Sequence, residues 1–469
     1  MIAPRLGVAL SGGGHRASAW GTGVLAALVD AGLGPQVVSV SSVSGGSITN
    51  GVVAHRLDLR TATPDDFDSA VAASLANYAR TGLFPTGPFT KTYFRAVIVT
   101  LILAVVAVVA LLVVFVAAAA SWLSGSTALV VLVVLGVVTI VSWVALAVLV
   151  ARRGSVVRSA IARTHFGGSR GALGAPLAEV RRSVNHVFLT TDLEAGDQFY
   201  LSPKFLYGFR EGVADPAAVG TTIADAVQAS AALPGAFPPV ELATGTFRRP
   251  WTVPGGVPAE PPTRVLLSDG GVYDNMADQW ESGLPERIER VPELGDIQEP
   301  ADVLIVANSS AGWGWAPFMS MKWPMREVTA LMRNQGVQYD VSTSRRRRAM
   351  VQMWTDNQRT GVGPRGVIVM IDRSPYIVAD AFSRDEGERG RRATEALAHL
   401  GDSSDARAEW ADRASSNASV PTVLGALGTE ATLDLLEHAY TSTLIGLYVL
   451  EGIGSLPVFD RGRFTRLIG

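Results

Sequence analysis

The hydrophobic pattern at the start of the chain alternates between short apolar runs and longer helical segments. Arg5–Ser11 is a short apolar run that ends at three consecutive glycines, and Ala17–Ala31 then has the spacing of a helix. Val37–Val43 is rich in β-branched residues and is followed by Gly45 and Gly46, so it predicts a second strand that leads into a second helix. Strand, helix, strand and helix in this order predict a parallel α/β sheet.

Two long uncharged segments interrupt this pattern. Ala96–Ala120 and Ala128–Val150 are almost wholly apolar and contain no charged residue. As helices, each would extend about 35 Å, which exceeds the roughly 30 Å of the hydrocarbon core of a bilayer. They predict a transmembrane hairpin that is closed by the short segment 121–127. A pair of buried core helices is the alternative.

Basic residues flank this hairpin on its outer sides. Lys91 and Arg95 precede the first span, Arg152, Arg153 and Arg158 follow the second, and the connecting loop carries no charge. Because cytoplasmic flanks carry an excess of Lys and Arg, we expect both outer flanks, and the chain before and after them, to be cytoplasmic. Arginine far outnumbers lysine, which is typical of a GC-rich genome, so a bacterial inner membrane is the expected location.

The α/β pattern resumes after the hairpin. Val184–Thr191 predicts a strand, Thr222–Leu233 a helix, and Thr263–Leu267 and Ala301–Ala307 two further strands. The hairpin is therefore interpreted as an insertion into one α/β domain. The expected division has four parts, which are the first part of that domain (1–90), the hairpin insertion (91–155), the second part of the domain (156–310) and a C-terminal helical extension that packs on it (311–469).

The composition limits the chemistry that the chain can perform. It has 469 residues, no cysteine, 48% hydrophobic and 17% charged residues, and a net charge of −2. The apolar content is typical of a protein with a membrane segment. The absence of cysteine excludes disulfides and thiolate catalysis, and the near-neutral charge gives no reason to expect a nucleic acid partner. Without an H-x-x-x-H or H-E-x-x-H motif, we expect neither a metal nor another cofactor.

A serine at a predicted strand-to-helix turn is the first candidate for chemistry. Residues Ser42 to Gly46 read Ser-Val-Ser-Gly-Gly, and they differ from the elbow pattern G-x-S-x-G in the serine at the first position. Such a turn exposes the hydroxyl of Ser44 above the sheet edge. The start of the following helix favours a developing negative charge there. A purely structural turn is the alternative.

The three glycines Gly12, Gly13 and Gly14 form a turn with unpaired backbone N–H groups. Such groups can bind a phosphate or the oxyanion of a tetrahedral intermediate. A dinucleotide site would need an Asp or Glu about 20 residues later, at the end of the second strand. That strand ends in Ser41 and Ser42 instead. A dinucleotide site is therefore disfavoured.

An aspartate ends the predicted strand that includes residues 264–267. Asp269-Gly270-Gly271 places a carboxylate where it could meet Ser44 across the top of a parallel sheet. A turn-forming aspartate is the commoner explanation of such a triplet. If Asp269 acts as a base, burial should raise its pKa from about 4 towards neutrality. The six histidines lie in no recognisable motif, so a Ser-His-Asp triad is disfavoured.

These segments, taken in order, resemble the patatin-like phospholipase family. The resemblance covers about residues 5–57 and 184–310. It rests on the glycine turn with Arg16, the serine elbow, Asp269-Gly270-Gly271, the T-D-L of Thr191-Asp192-Leu193, Gln228–Val240 (similar to A-S-x-A-x-P-x-x-F-P-P), and Asp274-Asn275. The family implies a patatin-type fold, with a mostly parallel sheet flanked by helices, and hydrolysis of ester bonds in phospholipids or other acyl lipids.

The resemblance also implies a role for individual residues. Ser44 would be the nucleophile, and Asp269 would take its proton and then activate water. The implied oxyanion hole is Gly12, Gly13 and Gly14, and the implied supporting residues are Arg16, Gly46, Gly270 and Gly271. The expected partner is a membrane phospholipid or another acyl lipid. A catalytically silent lipid-binding scaffold and a serine peptidase with the same dyad are the alternatives, whereas a channel is disfavoured because the spans carry no ionisable residue.

A run of four arginines, Arg345–Arg348, stands apart from these motifs. It could contact anionic lipid headgroups, or it could be the solvated face of a helix. The second explanation is the simpler one.

Overall fold

The computed structural model describes residues 3–83, 88–120, 125–166, 174–180, 183–234, 237–249, 251, 262–312 and 325–469. The chain separates into two units, one formed by Met1–Leu83 together with Ile161–Gly469 and the other by Phe84–Ala160. The first unit contains the α/β elements, and the second contains the two long apolar helices.

The elements at the start of the chain follow the predicted order of strand, helix, strand and helix, and further strands and helices follow them along the chain. The strands are β1 (Leu6–Leu10), β2 (Val37–Ser42), β3 (Asn185–Asp192), β4 (Asp197–Leu201), β5 (Leu206–Gly208), β6 (Gly212–Ala214), β7 (Val240–Ala243), β8 (Arg264–Asp269), β9 (Val303–Asn308) and β10 (Arg365–Met370). The helices are α1 (Gly14–Asp30), α2 (Gly45–Arg56), α3 (Pro64–Ala76), α4 (Pro88–Ala119), α5 (Gly125–Ala151), α6 (Arg153–His165), α7 (Pro216–Val219), α8 (Ile223–Ser230), α9 (Gln279–Ser282), α10 (Leu284–Arg290), α11 (Glu293–Ile297), α12 (Met325–Thr360), α13 (Tyr376–Phe382), α14 (Glu388–Leu400), α15 (Ser404–Ser419), α16 (Thr429–Gly446) and α17 (Arg461–Ile468).

The strands of the described residues form one mixed sheet. Its order is β10-β9-β1-β2-β3-β4-β5-β6, and β8 pairs with both β3 and β7. The first five strands of this order are parallel neighbours, whereas the remaining pairs are antiparallel. Strands β1, β3 and β9 are buried along their whole length, as expected for central strands that are covered on both faces. The predicted α/β fold is confirmed, with a sheet that is mixed.

Strand β3 is the junction of this sheet. On one side it pairs first with β2, where Ser42 lies opposite Phe188, and then with β8, where Asp269 lies opposite Thr190. Because β2 is parallel and β8 antiparallel to β3, these two strands run towards each other and their carboxyl ends meet. The two register positions are two residues apart along β3, which is about 7 Å at the usual rise of a strand. The residues that follow β2 are therefore close to the end of β8.

The C-terminal third contributes to the sheet as well as to the helical layer. Strand β10 extends the sheet beyond β9. Helix α16 packs closely on α1, since a Cβ atom on Gly23 would lie 2.5 Å from the carbonyl oxygen of Leu436. Trp20 and His438 meet edge to face across the same interface, with ring centroids 4.9 Å apart. Residues 311–469, predicted as a helical extension, thus add an edge strand as well, and the four-part division of the chain stays a prediction.

The second unit is built from the helices α4 and α5. Thr92–Ala119 and Gly125–Ala151 are long enough and apolar enough to cross a membrane, and only 11% and 6% of the residues in their most apolar stretches are buried. The hydroxyl of Tyr93 donates a hydrogen bond of 2.5 Å to the carbonyl oxygen of Leu149, which joins the two helices. The sequence left open that these segments are core helices. A core helix is mostly buried, whereas these two helices are mostly exposed.

Candidate active site

Ser44 occupies the sharp turn between β2 and α2. Its φ of 51° and ψ of −117° are uncommon for a residue other than glycine, and a conformation of this kind costs about 1–3 kcal/mol. The next two positions have no room for a side chain. A Cβ atom on Gly45 would lie 2.0 Å from the carbonyl oxygen of Gly14, and one on Gly46 would lie 2.5 Å from that of Leu10. Glycine is therefore required at both positions after Ser44, because the backbone of Gly14 and the end of β1 lie so close to them.

Ser42, which replaces the first glycine of the elbow pattern, is fully buried. Its hydroxyl accepts hydrogen bonds from Ser47 Oγ at 3.0 Å and Asn50 Nδ2 at 2.8 Å, and it donates to the carbonyl oxygen of Val187 at 3.3 Å. A glycine would make none of these bonds. Ser42 therefore links β2 to α2 and β3 by hydrogen bonds that a glycine could not make. The sharp turn at Ser44 forms in its presence.

Asp269 is the last residue of β8, and its side chain is buried with 3% of the residue exposed. Its Oδ1 atom accepts a hydrogen bond of 2.7 Å from the backbone N–H of Gly271. Burial raises the pKa of Asp269 to about 6, and the hydrogen bonds from Gly271 and from the Ser44 side chain oppose this rise. The Cβ position of Gly270 would be only 2.3 Å from the carbonyl oxygen of Leu189, so the backbone is held tightly against β3.

The end of α8 and the residues just after it connect Ser44 with Asp269. The backbone N–H of Ser44 donates to Ser230, whose carbonyl oxygen is at 3.0 Å and whose Oγ is at 3.1 Å. Two residues later, the carbonyl oxygen of Ala232 accepts a hydrogen bond of 3.1 Å from the N–H of Asp269. Ser230 Oγ also donates to the carbonyl oxygen of Leu189 on β3 at 2.7 Å. Ser230 was not among the predicted site residues, although it is the serine of the A-S-x-A segment.

The glycine turn lies next to this pair. The N–H of Gly12 donates to the carbonyl oxygen of Asn275 at 3.0 Å, so this predicted oxyanion donor is already bonded inside the protein. Gly13 has a φ of 144° and Gly14 a φ of 61°, and within the described part of the chain neither N–H has a hydrogen-bond acceptor. The Ser44 side chain is also close, with its Cβ atom 3.2 Å from the Cβ position of Gly12. Two donors of the turn are thus available beside Ser44.

A segment between α15 and α16 lies against the glycine turn. Arg16 Nη1 donates to the carbonyl oxygen of Val420 at 2.7 Å. The backbone N–H of His15 donates to the carbonyl oxygen of Val423 at 2.8 Å, and its Nδ1 donates to that of Gly425 at 2.9 Å. Burial lowers the pKa of His15 to about 4, so this imidazole is neutral at pH 7. Arg16 and His15 therefore hold the turn to the C-terminal third of the chain.

The loop after Asp269 contacts the glycine turn from the other side. Asn275 Oδ1 lies 2.2 Å from the Cβ position of Gly12 and 2.7 Å from that of Gly271, so a side chain at either glycine would displace it. Farther along the same edge of the sheet, Leu233, Val272 and Tyr273 are large apolar residues with about half of their surface exposed. They flank the two segments whose backbones hold Asp269, so the surroundings of the pair are partly apolar.

The described residues contain no group of three or more His, Cys, Asp or Glu side chains that could hold a metal ion. What the arrangement offers is a serine hydroxyl in a strained turn, a buried carboxylate whose pKa this serine influences, and nearby backbone N–H groups without an acceptor among the described residues. These are the parts that acyl transfer through a serine requires: a nucleophile, a base and donors for a developing oxyanion.

Comparison with known proteins gives a family. A model described as patatin-like phospholipase matches residues 8–277, which is more than half of the chain, and it confirms the resemblance seen in the sequence. Among solved structures, human GIVD cytosolic phospholipase A2 is 13% identical with a TM-score of 0.35 over 71% of this chain and 45% of its own. VipD from Legionella pneumophila is 12% identical with a TM-score of 0.25 over 94% of this chain and 92% of its own. The chain thus spans less than half of the human enzyme. No curated protein matches it.

Proposed function

We propose that this chain, which belongs to the patatin-like phospholipase family, is a lipid acyl hydrolase that cleaves carboxylic esters with Ser44 and Asp269. The observation that carries the proposal is the meeting of β2 and β8 along β3, which brings Ser44 so close to Asp269 that its side chain lowers the pKa of this carboxyl group. A serine hydroxyl is a weak nucleophile unless an adjacent base takes its proton, and a carboxylate with a pKa of about 6 is ionised near pH 7 and able to do so.

The proposed reaction has two steps. In the first, Ser44 Oγ attacks the ester carbonyl carbon while its proton passes to Asp269. The bond to the alcohol then breaks, and the alcohol leaves with that proton. In the second step, Asp269 takes a proton from water as the water attacks the acyl-enzyme, and the carboxylic acid leaves while the proton returns to Ser44. The free N–H groups of Gly13 and Gly14 are the proposed donors to the oxyanion of each tetrahedral intermediate.

Two features support a lipid as the substrate. Leu233, Val272 and Tyr273 give the surroundings of the dyad an exposed apolar character that suits an acyl chain. The helices α4 and α5 are proposed to cross a membrane, with the basic flanks at Arg95 and Arg152 on the cytoplasmic side. Such a tether, in a bacterial inner membrane, would raise the effective concentration of enzyme at its substrate. The four-part division of the chain belongs to the same proposal.

Labelling with a fluorophosphonate tests the dyad directly, because the probe reacts with an activated serine. The wild type should be labelled, Ser44→Ala should not be, and Asp269→Asn should be labelled more slowly. Ser69→Ala, a change at an exposed serine of α3, serves as the matched control and should behave as the wild type. In a separate assay, the unlabelled wild type and the same three variants are given phospholipid, short acyl ester and peptide substrates.

Each outcome of this experiment decides between the candidates. Ester hydrolysis that depends on Ser44 supports the lipid hydrolase, whereas cleavage of peptides alone would assign the dyad to a peptidase. A folded wild type that neither reacts with the probe nor hydrolyses any ester would contradict the proposal and favour the catalytically silent scaffold.

A further inference from the structure

Helix α12 lies outside residues 8–277 that the family model matches, yet it reaches the loop that follows Asp269. Arg346, on this helix, donates from Nη1 to Asp274 Oδ1 at 2.8 Å and from Nη2 to Asp278 Oδ1 at 2.6 Å. The side chains of Asp274 and Asp278 are only 0% and 6% exposed, and that of Arg346 is 24% exposed. One arginine therefore pairs with two neighbouring buried carboxylates.

Asp274 organises the loop through its carboxylate. Oδ1 accepts hydrogen bonds from the backbone N–H groups of Met276 at 3.0 Å and Ala277 at 3.1 Å, and Oδ2 accepts one from Gln279 at 3.0 Å. Ala277 has a φ of 59°, and Ser44 is the other described non-glycine residue with a positive φ. Such a turn persists only where its surroundings hold it. The hydrogen bonds to the carboxylate of Asp274 stabilise this turn, and they require that a positive charge balances the buried carboxylate.

The compensation comes from Arg346. Two carboxylates in a buried site repel each other, and burial together with the charge of Asp274 raises the pKa of Asp278, a rise that the Arg346 guanidinium opposes. Without Arg346, the pKa of Asp278 would rise further, so this acid would be protonated or would turn towards water. Either change would loosen the turn that begins five residues after Asp269.

A second residue of α12 makes a parallel connection. The hydroxyl of Tyr339 lies 3.0 Å from Ser310 Oγ, which accepts a hydrogen bond of 2.9 Å from Asn275 Nδ2. The carbonyl oxygen of Asn275 in turn accepts the N–H of Gly12. Tyr339 and Arg346 are seven residues apart, which is two turns of a helix, so they lie on the same face of α12. This face contacts Asp278 directly and reaches Asn275 through Ser310.

We propose that Arg346 and Tyr339, here called the α12 clamp, are positioning residues for the reaction, since they fix the loop after Asp269 and, through Asn275, the glycine turn. The inference rests on the proposed function for its catalytic consequence. It also gives one member of the arginine run Arg345–Arg348 a role that neither explanation from the sequence includes. Arg345 and Arg348 are exposed, whereas Arg346 faces the loop.

The test compares four variants on a soluble short-chain acyl ester: Arg346→Gln, Arg346→Lys, Tyr339→Phe and Arg345→Gln. Arg345→Gln is the matched control, because it removes the neighbouring positive charge of the same run from an exposed position. We expect Arg346→Gln to lower kcat about 10- to 100-fold with little change in KM, because a small misplacement of catalytic groups affects the chemical step. Arg346→Lys should recover part of this loss, Tyr339→Phe should lose less, and Arg345→Gln should match the wild type.

Hydrogen exchange supplies a readout that does not depend on activity. In the Ser44→Ala background, Arg346→Gln should speed exchange at the backbone amides of Met276, Ala277 and Gln279, while β10 stays protected. Arg345→Gln should leave these amides unchanged. If the wild type hydrolyses no ester, the proposed function fails, but the exchange experiment still decides whether the clamp holds the loop.

Two results would overturn the inference. One is unchanged kcat together with unchanged exchange at the three amides in Arg346→Gln. The other is a loss of activity that occurs on anionic vesicles and not on the soluble ester, which would assign Arg346 to lipid headgroups. If Arg346→Gln does not fold, Arg346→Lys and Tyr339→Phe decide the question on the same measurements.

Discussion

Replacing Asp269 by Asn should stabilise the folded protein at neutral pH while it removes the proposed base. The carboxyl group is buried, and its pKa is raised from 3.8 to about 6. A raised carboxyl pKa means that the ionised form is less stable in the folded chain than in the unfolded one, here by about 3 kcal/mol. Asparagine carries no charge, and its side-chain oxygen can still accept the hydrogen bond from Gly271.

The dependence on pH follows from the order in which the two states release this proton. Well below the unfolded pKa of 3.8, the carboxyl group is protonated in both states and costs nothing. As the pH rises towards about 6, the unfolded chain releases the proton first, so the wild type loses stability over this window. Above the folded pKa the full difference of about 3 kcal/mol is reached and stays constant. The advantage of Asp269→Asn should therefore grow between these two values and then level off.

Thermal unfolding in one detergent, followed by circular dichroism across this pH range, measures the effect. Asp269→Asn should melt several degrees above the wild type near pH 7, and the difference should shrink as the pH falls towards 4. Asp296→Asn, a change at an exposed aspartate of α11, is the matched control and should show no such growth with pH. A Tm difference that does not depend on pH, or an Asp269→Asn protein that melts below the wild type at pH 7, would refute the reasoning.

Three further predictions concern activity. On a soluble ester, kcat/KM should rise with pH and level off above about 6, because Asp269 must be ionised to act as a base, and a flat profile across that region would contradict this role. Gly46→Ala should abolish fluorophosphonate labelling of folded protein, since its Cβ atom would lie 2.5 Å from the carbonyl oxygen of Leu10, and full labelling would show that the turn tolerates a side chain. Replacing Ala96–Val150 by a short linker should lower activity on vesicles more than on a soluble ester, and equal losses would argue against a tether.

Much of the fold near the start of the chain could be predicted, because its signals are local. The apolar run Arg5–Ser11 contains β1, the run Val37–Val43 contains β2, and the glycines between and after them mark real turns. The two apolar helices were equally clear, since length and the absence of charge are enough to identify them. Each of these features depends on residues within one element and its immediate neighbours.

The direction of β8 could not be predicted in the same way. Asp269 was expected to meet Ser44 across the top of a parallel sheet, whereas β8 is antiparallel to β3 and meets β2 end to end. A short apolar run fits a parallel and an antiparallel strand alike, because direction is set by pairing with residues about 80 positions away. That Asp269 ends a strand could be predicted from the sequence. The antiparallel direction of this strand, which brings Asp269 towards Ser44, was found only in the structure.

The contribution of the C-terminal third was hidden for a related reason. Four consecutive arginines on a helix are usually solvated, and nothing in Arg345–Arg348 indicates that one member pairs with Asp274, 72 positions earlier. Likewise, the carbonyl groups of Val420 and Val423 that hold Arg16 and His15 belong to a loop with no motif. Backbone acceptors and single buried ion pairs leave almost no trace in one sequence.

These contacts change which part of the chain is needed for the site. The residues proposed to act on the substrate all lie between positions 12 and 269, inside the region that the family model matches. The groups that fix them come partly from beyond it: Val423 bonds the residue after the glycine turn, and Arg346 compensates the acids that shape the loop after Asp269. A fragment that ended near residue 310 would keep every proposed catalytic group, but it would lose Arg346, the strand β10 that pairs with β9, and the helix α16 that packs on α1. Because it lacks these contacts, such a fragment should be poorly folded around Asp269 rather than a minimal enzyme.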